Sequence, residues 1–293
     1  MKTKSIVNRL LTVVNGGGAA SINALVVMAL AMMMNGCSAD SEQPVDEPTN
    51  VTLTFSPYDM EPLTRTAASI AGVVNHLDVW ITDGLTEVEA HQTNTDDGFG
   101  TVGLALDKTK TYTMYAVGHK AEGATLDDGV ISFTDDKVTH AMYYSTTFSP
   151  SSSTSLSCLM NRIVADFRLE ITDDVPDECK KLRFTISDVY DRWSVTDGGT
   201  HQLDRVSTIN YSGTSAVFNV YAIVTNNQTL HTVTVEALDN DGNSLVPAQV
   251  KTFENVPLRN GYKTTYRGAF FTNENMTMTF TVDDWNEYET VNF

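Results

Sequence analysis

The sequence is poor in positive charge, in cysteine and in long apolar runs. Against 37 Asp and Glu it sets only 19 Lys and Arg, for a net charge of −18. That sign argues against nucleic acid as a partner and against electrostatic docking on anionic lipid. No stretch supplies the ~20 consecutive apolar residues that a membrane-spanning helix needs. Helical periodicity is scarce too, and the best candidate is a short segment over 66–74. The common catalytic signatures are missing: there is no G-x-S-x-G elbow, no H-E-x-x-H, no P-loop and no G-x-G-x-x-G.

What is present begins with three parts at the N-terminus. Lys2, Lys4 and Arg9 form a basic region, Ala24 to Met34 is a short apolar run, and Asn35-Gly36 leads into Cys37. A short apolar run of this kind suits the core of an export signal. A small residue directly before a cysteine is the pattern of a bacterial lipoprotein signal, although Met34 and Asn35 stand where Leu and a small residue are usual. The reading is a lipoprotein signal at 1–36 with Cys37 lipidated; the alternative is ordinary secretion with cleavage elsewhere. Residues 1–36 hold three basic side chains and no acid, which leaves 16 basic against 37 acidic, a net −21, beyond them. Residues 37–49 are acidic, carry prolines and have almost no apolar side chain, so they read as a flexible tether.

From residue 50 the dominant period is two. Val51, Leu53 and Phe55 alternate with threonines; Ile163, Ala165, Phe167, Leu169 and Ile171 alternate with Val164, Asp166, Arg168 and Glu170. Similar sets are Leu182, Phe184 and Ile186; Phe218, Val220, Ala222 and Val224; Val233, Val235 and Ala237; and Met276, Met278, Phe280 and Val282. Such alternation marks half-buried strands. Asp83-Gly84, Asp128-Gly129, Asp197-Gly198-Gly199, Asp241-Gly242 and Asn260-Gly261 punctuate the runs with residues that accept positive φ. Short strands with frequent turns predict an all-β protein of antiparallel sandwiches. The length exceeds one sandwich, so two in tandem are expected, at 50–160 and 161–293, with the serine-rich stretch 149–158 at the boundary.

Candidate chemistry is thin. The six histidines (His76, His91, His119, His140, His201 and His231) are scattered, and no two have metal-ligand spacing. Asp239 to Asn243 begins like a calcium loop, but Ala248 stands where the closing Glu belongs, and a hairpin turn is the simpler reading. Paired carboxylates are set by space, so sequence says nothing of them. Trp80, Trp193 and Trp285 are candidates for a sugar platform or, more simply, for core packing. With Cys37 lipidated, Cys158 and Cys179 remain; an exported protein allows a disulfide between them, and two buried thiols are the alternative. No metal site and no cofactor emerge, and the expectation is a non-enzyme.

Several segments occur in a telling order: Met60-Glu-Pro-Leu-Thr-Arg65-Thr-Ala, then Leu159-Met-Asn-Arg162-Ile-Val-Ala165-Asp-Phe167, then Val256-Pro-Leu-Arg-Asn260-Gly-Tyr-Lys-Thr264. Gly268 and Phe270-Phe271 follow, and Val282-Asp-Asp-Trp285-Asn comes near the end. Behind a lipoprotein signal, this order resembles the Bacteroidales fimbrillins, subunits of the FimA/Mfa type of pilus. The resemblance implies two transthyretin-like β-sandwich domains and delivery as a lipoprotein to the outer membrane and cell surface. It implies cleavage at Arg65 by an arginine-specific protease, with loss of the strand holding Val51, Leu53 and Phe55. A strand from another pilus subunit then fills the groove. Met276, Met278, Phe280, Val282 and Trp285 are the candidate donor, unless that strand completes its own domain. The alternatives are a tip or anchor subunit, or a non-polymerising surface lipoprotein that binds glycan or a host protein.

Overall fold

The computed structural model describes residues 48–58, 70–151, 154–213, 215–272 and 279–284. The protein is nearly all β, as the alternation predicts. Among the described residues nine strands precede residue 163: β1 (Thr49–Pro57), β2 (His76–Thr82), β3 (Glu87–Thr93), β4 (Thr101–Leu106), β5 (Tyr112–His119), β6 (Ala124–Asp127), β7 (Val130–Phe133), β8 (Ala141–Phe148) and β9 (Thr154–Arg162). Eight follow: β10 (Ala165–Ile171), β11 (Lys181–Ser194), β12 (Gly198–Asn210), β13 (Val217–Ala222), β14 (Thr229–Leu238), β15 (Val250–Leu258), β16 (Tyr262–Gly268) and β17 (Thr279–Asp284). Of the helix expected over 66–74, the described part holds a single 3₁₀ turn, Ile70–Gly72, where the amides of Val73 and Val74 both donate to the Ile70 carbonyl. Among the described residues no helix is long and apolar enough to cross a membrane.

Seven strands pair in the order β3-β2-β5-β8-β9-β1-β4. β9 turns the corner: it bonds β1 along Thr154–Met160 and β8 at Asn161 and Arg162. These strands surround one core, which holds Val51, Leu53, Phe55, Leu77, Val79, Met114 and Met160. A second core lies between the sheet β13-β10-β16-β17 and the sheet containing β15, β14 and β11. Its centre is aromatic: Phe167 packs within 6.3 Å of Phe184, 6.0 Å of Phe253 and 5.7 Å of Tyr266, centroid to centroid. Rings at such spacings add to the area they bury.

The first core draws only on residues 51–160 and the second only on 165–270. A third cluster joins them: Trp80, Val117, Ile131 and Phe133 meet Ile163, Val164, Trp193 and Ile223. The β6-β7 hairpin does not pair with the sheet around the first core. Its partner is the far end of β11, with Trp193 opposite Ile131 and Ser194 opposite Val130. Arg205 on β12 also reaches across, donating to the carbonyls of Asp136 (3.1 Å) and Val138 (3.0 Å).

This junction corrects one expectation. Val164 and Asp166 read as the outward set of β10, yet they are 0% and 2% exposed. Val164 is turned away from the second core and covered by the third cluster instead. The turn dipeptides behave as expected: Gly84, Gly129, Gly198, Gly242 and Gly261 all take positive φ. Trp80 and Trp193 are core residues, and Trp285 lies outside the described residues.

Candidate functional site

The first strand has neighbours on both edges. Toward β4 it runs antiparallel, from Thr49 opposite Leu106 to Thr54 opposite Thr101. Toward β9 it runs parallel, from Val51 beside Thr154 to Pro57 beside Met160. Val51, Leu53 and Phe55 are 1%, 0% and 3% exposed, while Thr52 and Thr54 face solvent. Burying three such side chains contributes about 1.5–3 kcal/mol each. The strand is seated tightly. The Phe55 amide donates to the Gly100 carbonyl at 2.8 Å, and the Tyr58 amide to that of Met160 at 2.8 Å. Gly100 has φ +89, and a Cβ there would lie 2.6 Å from Ile70 Cγ2, so only glycine lets the chain pass so close. Taking β1 away would bare the edges of β4 and β9 and open the core between them. Arg65 and Cys37 lie outside the described residues.

At the other end of the chain, β17 pairs antiparallel with β16, from Tyr262 opposite Asp284 to Arg267 opposite Thr279. Among the described residues it is the outer strand of its sheet. Unlike β1, its described side chains add no member to the second core: Phe280 is 55% and Val282 37% exposed. Phe280 only stacks on the Tyr266 ring, at 5.4 Å. Among the other candidate donor residues, Met276, Met278 and Trp285 lie outside the described residues.

The disulfide expectation is corrected. Cys158 and Cys179 are free and buried, and they belong to different cores, Cys158 with Leu53 and Phe55 and Cys179 with Phe184 and Val235. Burial in apolar surroundings pushes the Cys158 thiol up to about 12.

The histidines are less scattered than their spacing suggests. The register of β2, β3 and β5 gathers His76, His91 and His119 around Asp78. His91 Nδ1 lies 2.5 Å from Asp78 Oδ1 and His119 Nε2 lies 2.6 Å from Oδ2, so each carboxylate oxygen accepts from one imidazole. His76 stacks on His119 at 5.3 Å, and burial, with the two neighbouring imidazoles, lowers its pKa against the pull of Asp78. Among the described residues no hydroxyl or thiol bonds these rings, and no set of three or more His, Cys, Asp or Glu is arranged to hold a metal. The cluster ties three strands together. Separations of tens of residues hid it from sequence reading.

A cavity of about 530 Å³ opens beside the junction of the cores. Its walls include Tyr143, Trp193, Tyr262, Arg162 and Arg259, and Tyr58 closes one side from the end of β1. The Asp239–Asn243 segment is a turn. The Asp239 carboxylate accepts from the amides of Asp241 and Asn243, both at 2.9 Å, which closes the turn.

No protein-family model matches the chain, and no curated protein matches it. Solved structures do. A protein assigned to cell adhesion from Bacteroides ovatus shares 12% identity at a TM-score of 0.50, covering 81% of this chain and 98% of its own. One from Bacteroides uniformis shares 13% identity at 0.50, over 81% and 99%. A protein assigned as an adhesin, from Bacteroides thetaiotaomicron, shares 12% identity at 0.50, over 84% and 98%. At such identities the likeness is one of fold, and it spans nearly the whole of each relative.

Proposed function

We propose that this protein is a structural subunit of a cell-surface fimbria, exported as a lipoprotein through Cys37 and assembled by strand exchange once β1 is removed at Arg65. The observation that carries the reading is the seat of β1. A strand held parallel to β9 and antiparallel to β4, with three core side chains and one covalent connection through 58–69, is replaceable by another strand of the same pattern. Bared edges of β4 and β9 are templates for pairing. The fold shared with Bacteroidales proteins assigned to adhesion, and the order of the fimbrillin-like segments, support the same reading.

β17 is the proposed donor. It is held by its backbone ladder and offers Phe280 and Val282 to solvent, so detaching it uncovers little beyond the Tyr266 ring on which Phe280 stacks. Its partners are other subunits of the polymer and, before cleavage, the outer membrane through the lipid. If Arg65 is spared, the same lipid holds the subunit as an anchor. The test is direct: treat the purified precursor with an arginine-specific protease and follow oligomers by electron microscopy. Cleavage after Arg65 with fibre growth is expected. Normal fibres from Arg65→Ala would overturn the stalk-subunit reading.

A further inference from the structure

We propose that the cavity walled by Tyr143, Trp193 and Tyr262 binds an acidic saccharide, a sugar ring carrying a carboxylate, with Arg259 taking the carboxylate. At about 530 Å³ the cavity is of the size that small-molecule sites have.

Arg259 is preorganised. The buried Asn260 side chain next to it clasps Val224 on both backbone groups, accepting from its amide and donating to its carbonyl, each at 3.0 Å. The Asn260 amide adds a bond to the Thr225 carbonyl at 3.1 Å, and Gly261 follows at φ +80. The turn is therefore fixed. From it Arg259 donates Nε to the Asn226 carbonyl at 2.8 Å and lies with its guanidinium 4.2 Å from the Tyr262 ring centroid. Among the described residues its two terminal nitrogens have no acceptor. A planar fork held this way matches a carboxylate bidentately.

The charge setting agrees. In a chain of net −18, Arg162 also lines the cavity. Behind it, burial and the charges of Lys120, Arg162 and Lys263 push His140 down to about 3. This pocket of positive potential excludes cations and favours an anion.

The walls then choose among anions. Tyr143 and Trp193 lie 5.7 Å apart at 53°, and both line the cavity. The Trp193 indole N–H is buried without a partner, in a side chain only 7% exposed. A free anion would leave the rings unused. A neutral sugar would leave Arg259 unused.

The proposal concerns the uncleaved chain, in which Tyr58 still lines the cavity. Titration calorimetry of the full-length chain with glucuronic acid and N-acetylneuraminic acid, beside glucose, acetate and a short acidic peptide, tests it. Binding of at least one acidic sugar is expected, weakened by added salt. Arg259→Gln should lower its affinity roughly tenfold or more, as loss of a charged hydrogen bond does. Trp193→Phe should lower it several-fold; where that variant unfolds, the exposed Arg259→Gln variant decides alone, with its melting temperature as control. The proposal is overturned if neither acidic sugar binds, if glucose, acetate or the peptide binds as well, or if Arg259→Gln binds like the parent.

Discussion

Phe55 on β1 stands beside Cys158 on β9 in the parallel ladder, and both are buried in the same core. The thiol is thus a reporter for the strand. With β1 seated, Cys158 is inert, because the side chain is 0% exposed and burial holds its pKa near 12. Cys179, in the other core, is an internal control. Under the proposed processing, maleimide labelling followed by peptide mass mapping should show Cys158 reacting after β1 leaves, with Cys179 still protected, and protection returning when a donor strand binds. Equal labelling of the two thiols after cleavage would count against loss of β1.

The core side of β1 should dominate its contribution to stability. Leu53→Ala and Phe55→Ala are expected to cost about 2–5 kcal/mol each in urea unfolding, the range for truncating buried side chains. Thr52→Ala, on the exposed face, should stay within about 0.5 kcal/mol. If all three cost the same, β1 is not seated by its alternating face.

Phe280 is expected to behave in the opposite way. It is 55% exposed and outside the second core, so Phe280→Ser should shift the unfolding midpoint of the monomer little. The same substitution should block fibre growth if β17 is the donor, since an inserted strand must supply apolar side chains to the open core. Large destabilisation of the monomer would mean instead that β17 completes its own sheet.

Acid should weaken the protein through His140. Its folded pKa, near 3, lies below the unfolded value of about 6.5, so the neutral ring is favoured in the folded state. Stability from this group is whole above about pH 6.5 and is lost as pH falls toward 3, at up to about 1.4 kcal/mol per pH unit. His140→Phe should flatten that slope in denaturation curves measured between pH 7 and 4. An unchanged slope would assign the acid sensitivity elsewhere.

Asp173 should also lose stabilisation in acid, but below the ordinary carboxylate range. Burial alone would raise its pKa, but bonds from the amides of Phe270 (2.7 Å), Thr272 (2.8 Å) and Phe271 (2.7 Å) outweigh that and lower it. Its stabilisation is present above the ordinary carboxylate range and is lost only as pH falls through the lowered value. Asp173→Ala leaves three amides without acceptors. It should speed hydrogen exchange at 270–272 and cost about 1–3 kcal/mol; unchanged exchange there would refute the clasp.

Strand faces are legible in the sequence, and strand neighbours are not. Val51, Leu53 and Phe55 were legible as one buried face, because side chains alternate strictly along a strand. That β1 lies between β4 and β9 was not legible, since alternation says nothing about which strand supplies the other half of a ladder. The histidine cluster escaped for the same reason: His76, His91 and His119 meet only through the register of three strands. The rule also failed where both faces are covered, at Val164 and Asp166.

By itself, then, the sequence determined that the chain is all β, which faces of its strands turn inward, and where its tight turns fall, because these follow from local sterics and a period of two. The tertiary structure alone decided the parallel seat of β1, the crossing of the β6-β7 hairpin to β11, the separate burial of Cys158 and Cys179, and the cavity beside Arg259. Each of these depends on pairing between residues far apart in the chain, where the choice is made by long-range packing and register rather than by local preference.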